Sequence, residues 1–110
     1  LLNPGEVVIY NGVTPDGDGM NDYFIIDNIN QFPNNNVTIY NRWGRKVYET
    51  HSYDSNGNVF NGTAQGNAIV NKGEKLPTGT YYYVVEYLYD RDGQNQWVKK
   101  VGYLHLENND

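Results

Sequence analysis

The chain has 110 residues, a formal net charge of −5 and no cysteine. The length fits one domain, which we assign to residues 1–110. The acidic balance argues against nucleic acid and against an anionic membrane surface, because both ligands require a basic protein face. No apolar run approaches the roughly 18 residues of a transmembrane helix. The lack of cysteine excludes disulfides and thiolate metal sites.

Short β-rich runs alternate with glycine, proline and asparagine along the whole chain. No segment of ten or more residues places apolar side chains at helical spacing. The predicted strands are residues 6–10, 23–26, 37–40, 45–50, a short one near 58–60, 80–89 and 96–106. Six or seven short strands with turns between them and no helix predict an all-β fold, an antiparallel Ig-like β-sandwich of about seven strands.

Two hairpins are the clearest local predictions. Asn41, Arg42, Trp43 and Gly44 form the turn of the first hairpin, and Gly44 can take a positive φ there. The second joins residues 80–89 to 96–106 through the Asp92-Gly93 step. In the strand 80–89 the odd-numbered residues share one face and the even-numbered residues the other. We expect Val101, Tyr103, Leu104 and Leu106 of the last strand to be ordered, with those on the core-facing side buried.

The loop after the first strand has the highest density of chemical groups. Asp16, Asp18, Asn21 and Asp22 lie on a glycine-rich segment, and alternating side-chain oxygens of this kind can bind calcium. The spacing matches the start of an EF-hand loop but lacks its terminal glutamate and flanking helices. The alternative is a metal-free turn in which the carboxylates accept hydrogen bonds from the loop's own amides. Both readings stay open, and no cofactor is required.

The sequence gives little support for catalysis. His51 and His105 are the only histidines, and no nucleophile motif or phosphate-binding loop accompanies them. We therefore expect no enzymatic activity. Two tryptophans are candidates for interface anchors. The alternative, which we favour, is that Trp43 caps the sandwich from the hairpin tip and Trp97 packs across a sheet face.

Five ordered blocks of sequence resemble one family. The five blocks are Asn11 to Phe24, Ile39 to Tyr48, Phe60 to Gly66, Leu76 to Tyr83 and Lys99 to Leu104. Together they resemble the gliding-motility-associated C-terminal domain of Bacteroidetes. The residues that carry the resemblance are Thr14, Pro15, Asp16, Gly17, Asp18, Gly19, Asn21, Asp22, Asn41, Arg42, Trp43, Gly44, Pro77, Gly79, Tyr81, Lys100 and Gly102.

The resemblance implies a sorting signal of the type B class. Such a domain stands at the C-terminus of a large cargo, often an adhesin, and directs its export across the outer membrane by the type IX secretion system to the cell surface. The implied partner is the secretion machinery, through a PorP/SprF-like outer-membrane protein. The chain would then be a piece of a longer polypeptide, with residues 1–5 left from an interdomain linker. The rival functions are a carbohydrate-binding module and a structural Ig-like module of an adhesin.

Overall fold

A computed structural model describes residues 7–14, 22–54, 59–62, 76–91 and 94–107. The strands are β1 (Val8–Ile9), β2 (Gly12–Val13), β3 (Ile26–Asp27), β4 (Asn35–Tyr40), β5 (Lys46–His51), β6 (Gly79–Arg91) and β7 (Gln94–Leu106). One 3-10 turn covers Ile29–Gln31. Within these residues no helix is long and apolar enough to cross a membrane.

The strands form two sheets. One has five strands in the order β2-β7-β6-β4-β5, and the other pairs β1 with β3. All pairs are antiparallel except β2 with β7, which is parallel. The all-β sandwich of about seven strands is therefore confirmed, although the individual short strands differ from those predicted. The predicted linker at residues 1–5 lies outside the described residues.

The pairing of β6 with β7 forms the long axis of the larger sheet. Each strand has 13 residues, and the register runs without a shift from Gly79 opposite Leu106 to Arg91 opposite Gln94. The hairpin is therefore longer than predicted, since four residues of the expected loop pair as strand. On β6 the odd-numbered and even-numbered residues lie on separate faces, as predicted, and the odd-numbered face is the inward one, with Tyr81, Val85 and Tyr87 buried.

One hydrophobic core lies beneath the five-stranded sheet. Its buried members come from every described segment of the chain, including those outside the strands. They are Val7, Val13, Phe24, Ile26, Ile29, Val37, Ile39, Val47, Tyr48, Tyr53, Phe60, Leu76, Tyr81, Val85, Tyr87, Leu104 and Leu106. The expected burial on the last strand is confirmed at Leu104 and Leu106.

Tyr53 connects the irregular segments to this core. Its side chain is fully buried, and its hydroxyl donates to the Phe24 carbonyl and accepts from the Phe60 amide at 3.0 Å. The Tyr53 amide donates to Asn35 Oδ1 at 2.8 Å. Edge-to-face contacts with Phe24 and Tyr48 complete the cluster. One tyrosine therefore satisfies backbone groups that have no strand partner of their own.

Three of the predicted short elements differ in the structure. The strand predicted at 6–10 is limited in the described residues to Val8–Ile9, and the one predicted at 23–26 to Ile26–Asp27. Gly12–Val13, which was not predicted as a strand, joins the large sheet. Val59 and Phe60 are not in a strand, so the predicted strand there is wrong in its described part. Phe60 instead packs in the core and accepts one backbone hydrogen bond from Phe24 at 2.8 Å.

Candidate functional site

The register brings separate blocks of the family-like sequence motifs to one end of the large sheet. Val13 and Gly79 each lie opposite Leu106, and Tyr40, just before the first hairpin turn, lies opposite Tyr82. We call this the motif end, and define it by residues 13–14, 41–44, 77–81 and 106–107. These four segments are far apart in sequence, so only the order of the strands in the sheet places them side by side.

The hairpin turn at the motif end is held by the side chain of Asn41. Its Oδ1 accepts from the Trp43 amide at 3.0 Å and from the Arg45 amide at 2.9 Å. The Gly44 amide donates to the Asn41 carbonyl at 3.0 Å, and Gly44 has a φ of +79°, which favours glycine. Asn41 and Gly44 therefore have a structural role, and they fix the backbone between them.

The two residues between Asn41 and Gly44 are displayed to solvent. Trp43 is 71% exposed, and the Arg42 guanidinium carbon lies 4.5 Å from the centre of its ring. The expectation that Trp43 caps the sandwich is wrong, because the turn directs its ring away from the core. A large aromatic side chain that is held open on a rigid turn has the character of an interface anchor.

A small pocket of about 110 Å³ separates this turn from the start of β6. It is lined by Asn41, Arg42, Trp43, Thr78, Gly79, Thr80 and Tyr81. The Tyr81 hydroxyl donates to the Pro77 carbonyl at 2.6 Å and so holds residues 77–81 against the strand. Burial raises the pKa of Tyr81, while the nearby Arg42 charge acts in the opposite direction. Thr78 and Thr80 were not singled out from the sequence, because isolated threonines carry no distinctive signal.

Two of the motif residues lie away from this end. Lys100 and Gly102 are in the middle of β7, opposite Val85 and Tyr83. A Cβ atom at Gly102 would come within 2.5 Å of the Tyr83 hydroxyl oxygen and 2.7 Å of its Cζ. Gly102 therefore leaves room for the Tyr83 ring, which in turn packs on Phe24 with ring centres 5.4 Å apart. This glycine has a packing role.

The predicted calcium residues are largely outside the described part of the chain. Asp16, Asp18 and Asn21 lie there, with Pro15, Gly17 and Gly19, while Thr14 and Asp22 are described at the two ends of the loop. No group of three or more histidine, cysteine, aspartate or glutamate side chains clusters among the described residues. The calcium site stays a prediction.

The histidines do not meet in the structure. His51 is on β5 and His105 is on β7, with β4 and β6 between them in the sheet. The His51 ring is in contact with the Asn36 side-chain oxygen on the neighbouring strand. Trp97 lies on the outer face of the sheet, opposite Leu88, and lines a groove there with Asn36 and His51 while remaining 55% exposed, in line with the expected position across a sheet face.

Comparison with known protein families gives one match. The family model described as the CHU_C type IX secretion signal domain matches residues 7–106, which is nearly the whole chain. The matched residues thus place the chain in a class of secretion signal domains, which is not known for catalysis.

This chain belongs to the CHU_C type IX secretion signal domain family. Membership implies interaction with the type IX secretion machinery and export across the outer membrane toward the cell surface. Comparisons with curated proteins and with solved structures gave no match.

Proposed function

We propose that this domain is the type B sorting signal of a large cell-surface adhesin and that it is read through a PorP/SprF-like outer-membrane protein. The observation that carries the proposal is the display of Arg42 and Trp43 on a turn fixed by Asn41 and Gly44. A signal that is read as a fold needs a contact surface in fixed geometry, and this turn supplies one.

The size of the neighbouring pocket favours a protein partner. Ligand pockets usually enclose roughly 300–1,000 Å³, whereas the space between the turn and residues 78–81 is about 110 Å³. That volume suits one side chain of a partner. Trp43 beside it offers apolar area, and Arg42 offers a cation that pairs well with a carboxylate.

The export test uses the whole chain fused to the C-terminus of a periplasmic reporter in a host with the matching secretion system. We expect the wild-type fusion to reach the cell surface and Trp43→Ala to reduce its export strongly with little change in melting temperature. Tyr10→Ala is the matched control, because Tyr10 is also an exposed aromatic residue, at 46%, but lies on the N-terminal segment outside the motif end. A folded wild-type fusion that stays inside cells would contradict the sorting function.

A second pair of variants tests the geometry of the turn. Gly44→Ala strains a backbone with φ of +79°, whereas Gly44→Asn places there the residue that best tolerates the left-handed region after glycine. We expect Gly44→Asn to export better than Gly44→Ala. Equal export of both would show that the machinery does not depend on the fixed orientation of Trp43.

One observation favours carbohydrate binding as a second candidate function. At the opposite end of the sheet a groove of about 370 Å³ is lined by amide and aromatic side chains, among them Asn34, Asn36 and Trp97. Amides and an exposed indole ring are suited to hydrogen bonding and stacking on a sugar. Glycan binding by the purified chain that Trp97→Ala removes and Trp43→Ala preserves would support this function over a purely protein-directed one.

A further inference from the structure

The outward edge of β7 presents a long row of backbone groups. The amides of His105 and Glu107 donate to the Asn11 and Val13 carbonyls of the adjacent segment, at 2.8 and 2.9 Å. The odd-numbered residues of β7 therefore point their amides and carbonyls away from β6. β2 pairs with β7 only at residues 105 and 106. Among the described residues, nothing pairs on that side with residues 95, 97, 99, 101 or 103.

The side chains of the same odd-numbered residues are also open to solvent. Trp97, Val101 and Tyr103 are 55%, 65% and 60% exposed, and Lys99 between them is exposed as well. They lie on the outer face of the sheet, opposite the core. A strand added to this edge would thus gain main-chain hydrogen bonds and an apolar row for its own alternate side chains.

The charge of the strand indicates what kind of segment fits. The domain carries a net charge of −5, yet residues 94–106 contain Lys99 and Lys100 and no carboxylate. Lys99 lies opposite Glu86 of β6, whereas Lys100 lies opposite Val85 and has no ion-pair partner in the described part of the chain. Because Lys100 is on the other face of the strand from Trp97 and Val101, a segment with apolar side chains on the outer face and carboxylates on the other would supply a counter-charge to Lys100.

Lys99 argues against a second copy of this chain as the occupant. Residue 99 is the centre of the free part of the edge, residues 94–104. An antiparallel pair of two β7 strands centred there would place lysine opposite lysine, and like charges directly opposite each other destabilise strand pairing. Edge lysines are a common device against such self-association.

We infer that the outward edge of β7 is a β-augmentation site for an extended segment of the secretion partner in which apolar residues alternate with carboxylates. This inference rests on the proposed sorting function. It deepens that function, because it assigns a second contact surface and the chemistry of the segment that binds there.

The direct test titrates the purified chain with a nine-residue peptide of alternating valine and glutamate and follows the backbone amides by NMR. We expect shifts at the odd-numbered amides of β7 and cross-strand contacts to the peptide. Binding should be about tenfold weaker when lysine replaces glutamate in the peptide, since charge-assisted contacts are then replaced by repulsion. No binding of the valine–glutamate peptide at millimolar concentration would overturn the inference.

The Val101→Pro substitution separates the contribution of the edge backbone to peptide binding from that of the side chains. The Val101 amide points away from β6, so proline removes a donor that the fold does not use, and edge strands tolerate it at such positions. Val101→Ala is the matched control, because it removes the same side chain and keeps the amide. We expect peptide binding to fall about tenfold in Val101→Pro, the effect of losing one hydrogen bond and its neighbour, and to fall much less in Val101→Ala. Equal binding by the two would overturn the inference.

Export assays of the same variants separate the inference from the proposed function. Reporter export that is lost in Val101→Pro and retained in Val101→Ala supports both. A wild-type fusion that is not exported, with peptide binding intact, contradicts the sorting function and leaves the edge site standing as a binding site. Folded Val101→Pro exported at the wild-type level contradicts use of the edge by the machinery.

Two further outcomes are decisive. If Val101→Pro does not fold, the double variant Lys99→Glu with Lys100→Glu takes its place in the test. The matched control is the double variant Lys99→Gln with Lys100→Gln. Unchanged peptide binding and export in the glutamate variant would overturn the inference. A concentration-dependent dimer of the wild-type chain that Val101→Pro abolishes would identify a second copy as the occupant and overturn the inference as well.

Discussion

Gly102→Ala tests whether a glycine of the family motif is needed for packing. A Cβ at this position would lie 2.5 Å from the Tyr83 hydroxyl oxygen, 2.7 Å from Cζ and 3.0 Å from Cε2. The Tyr83 ring cannot retreat freely, because it packs on the buried Phe24 ring with centres 5.4 Å apart. The added methyl group must therefore displace the ring or separate β6 from β7.

The expected cost follows from two opposing effects. Overpacking of this kind costs about 1–3 kcal/mol. Replacing glycine by alanine within a strand recovers about 0.5–1 kcal/mol, since the unfolded chain loses conformational freedom. The net destabilisation is then roughly 1–2 kcal/mol, and each 1 kcal/mol lowers the melting temperature of a domain of this size by about 4–8 °C.

The assay is thermal and chemical unfolding of the purified domain, with Gly12→Ala and Gly79→Ala as controls. Both control glycines lie in strands of the same sheet, and a Cβ at either position has no atom within 4 Å. We expect the controls to melt at or above the wild-type temperature. A melting temperature of Gly102→Ala equal to that of the controls would refute the packing role. A melting temperature that is partly restored in the double variant Gly102→Ala with Tyr83→Leu would confirm it.

Three further predictions concern the core and the acidic loop. Tyr53→Phe should destabilise the fold by about 2 kcal/mol in denaturant titrations, because it leaves the Phe24 carbonyl and the Phe60 amide without their buried partner; an unchanged midpoint would contradict this. Burial raises the pKa of both Tyr48 and Tyr53 in the folded state. The free energy of unfolding should therefore be unaffected by these two groups below pH 10 and should fall above pH 10 by about 1.4 kcal/mol per pH unit for each tyrosine. Tyr53→Phe should show a smaller decrease of this free energy with pH. The calcium prediction requires a calcium-dependent rise in melting temperature that Asp16→Asn with Asp18→Asn removes; no rise would leave only the hydrogen-bonded turn.

The local elements of the fold were predictable from the sequence. The β4–β5 hairpin follows from the strand-forming run before Asn41 and from Gly44, whose observed φ of +79° is the conformation expected there. The grouping of Tyr81, Val85 and Tyr87 on one face of β6 follows from alternation alone, since they are separated by even numbers of residues, whereas the structure decides that this face is buried. The short N-terminal strands were less predictable, because two-residue pairings such as Val8–Ile9 with β3 depend on a partner and not on local preference.

The sequence by itself determined the long strands, the two hairpins and the resemblance of their motifs to one family, because these depend on residues close together in the chain. The tertiary structure alone decided which motif residues meet. Strand order β2-β7-β6-β4-β5 sets Thr14, Arg42 and Gly79 at one end of the sheet, and among the described residues it leaves residues 95–103 of β7 without a strand partner on the outward side. It also decided the role of Gly102, which depends on the ring of Tyr83 on the neighbouring strand. Long-range strand pairing has no signature within a single segment, so neither the motif end nor the open edge could be read before the sheet was assembled.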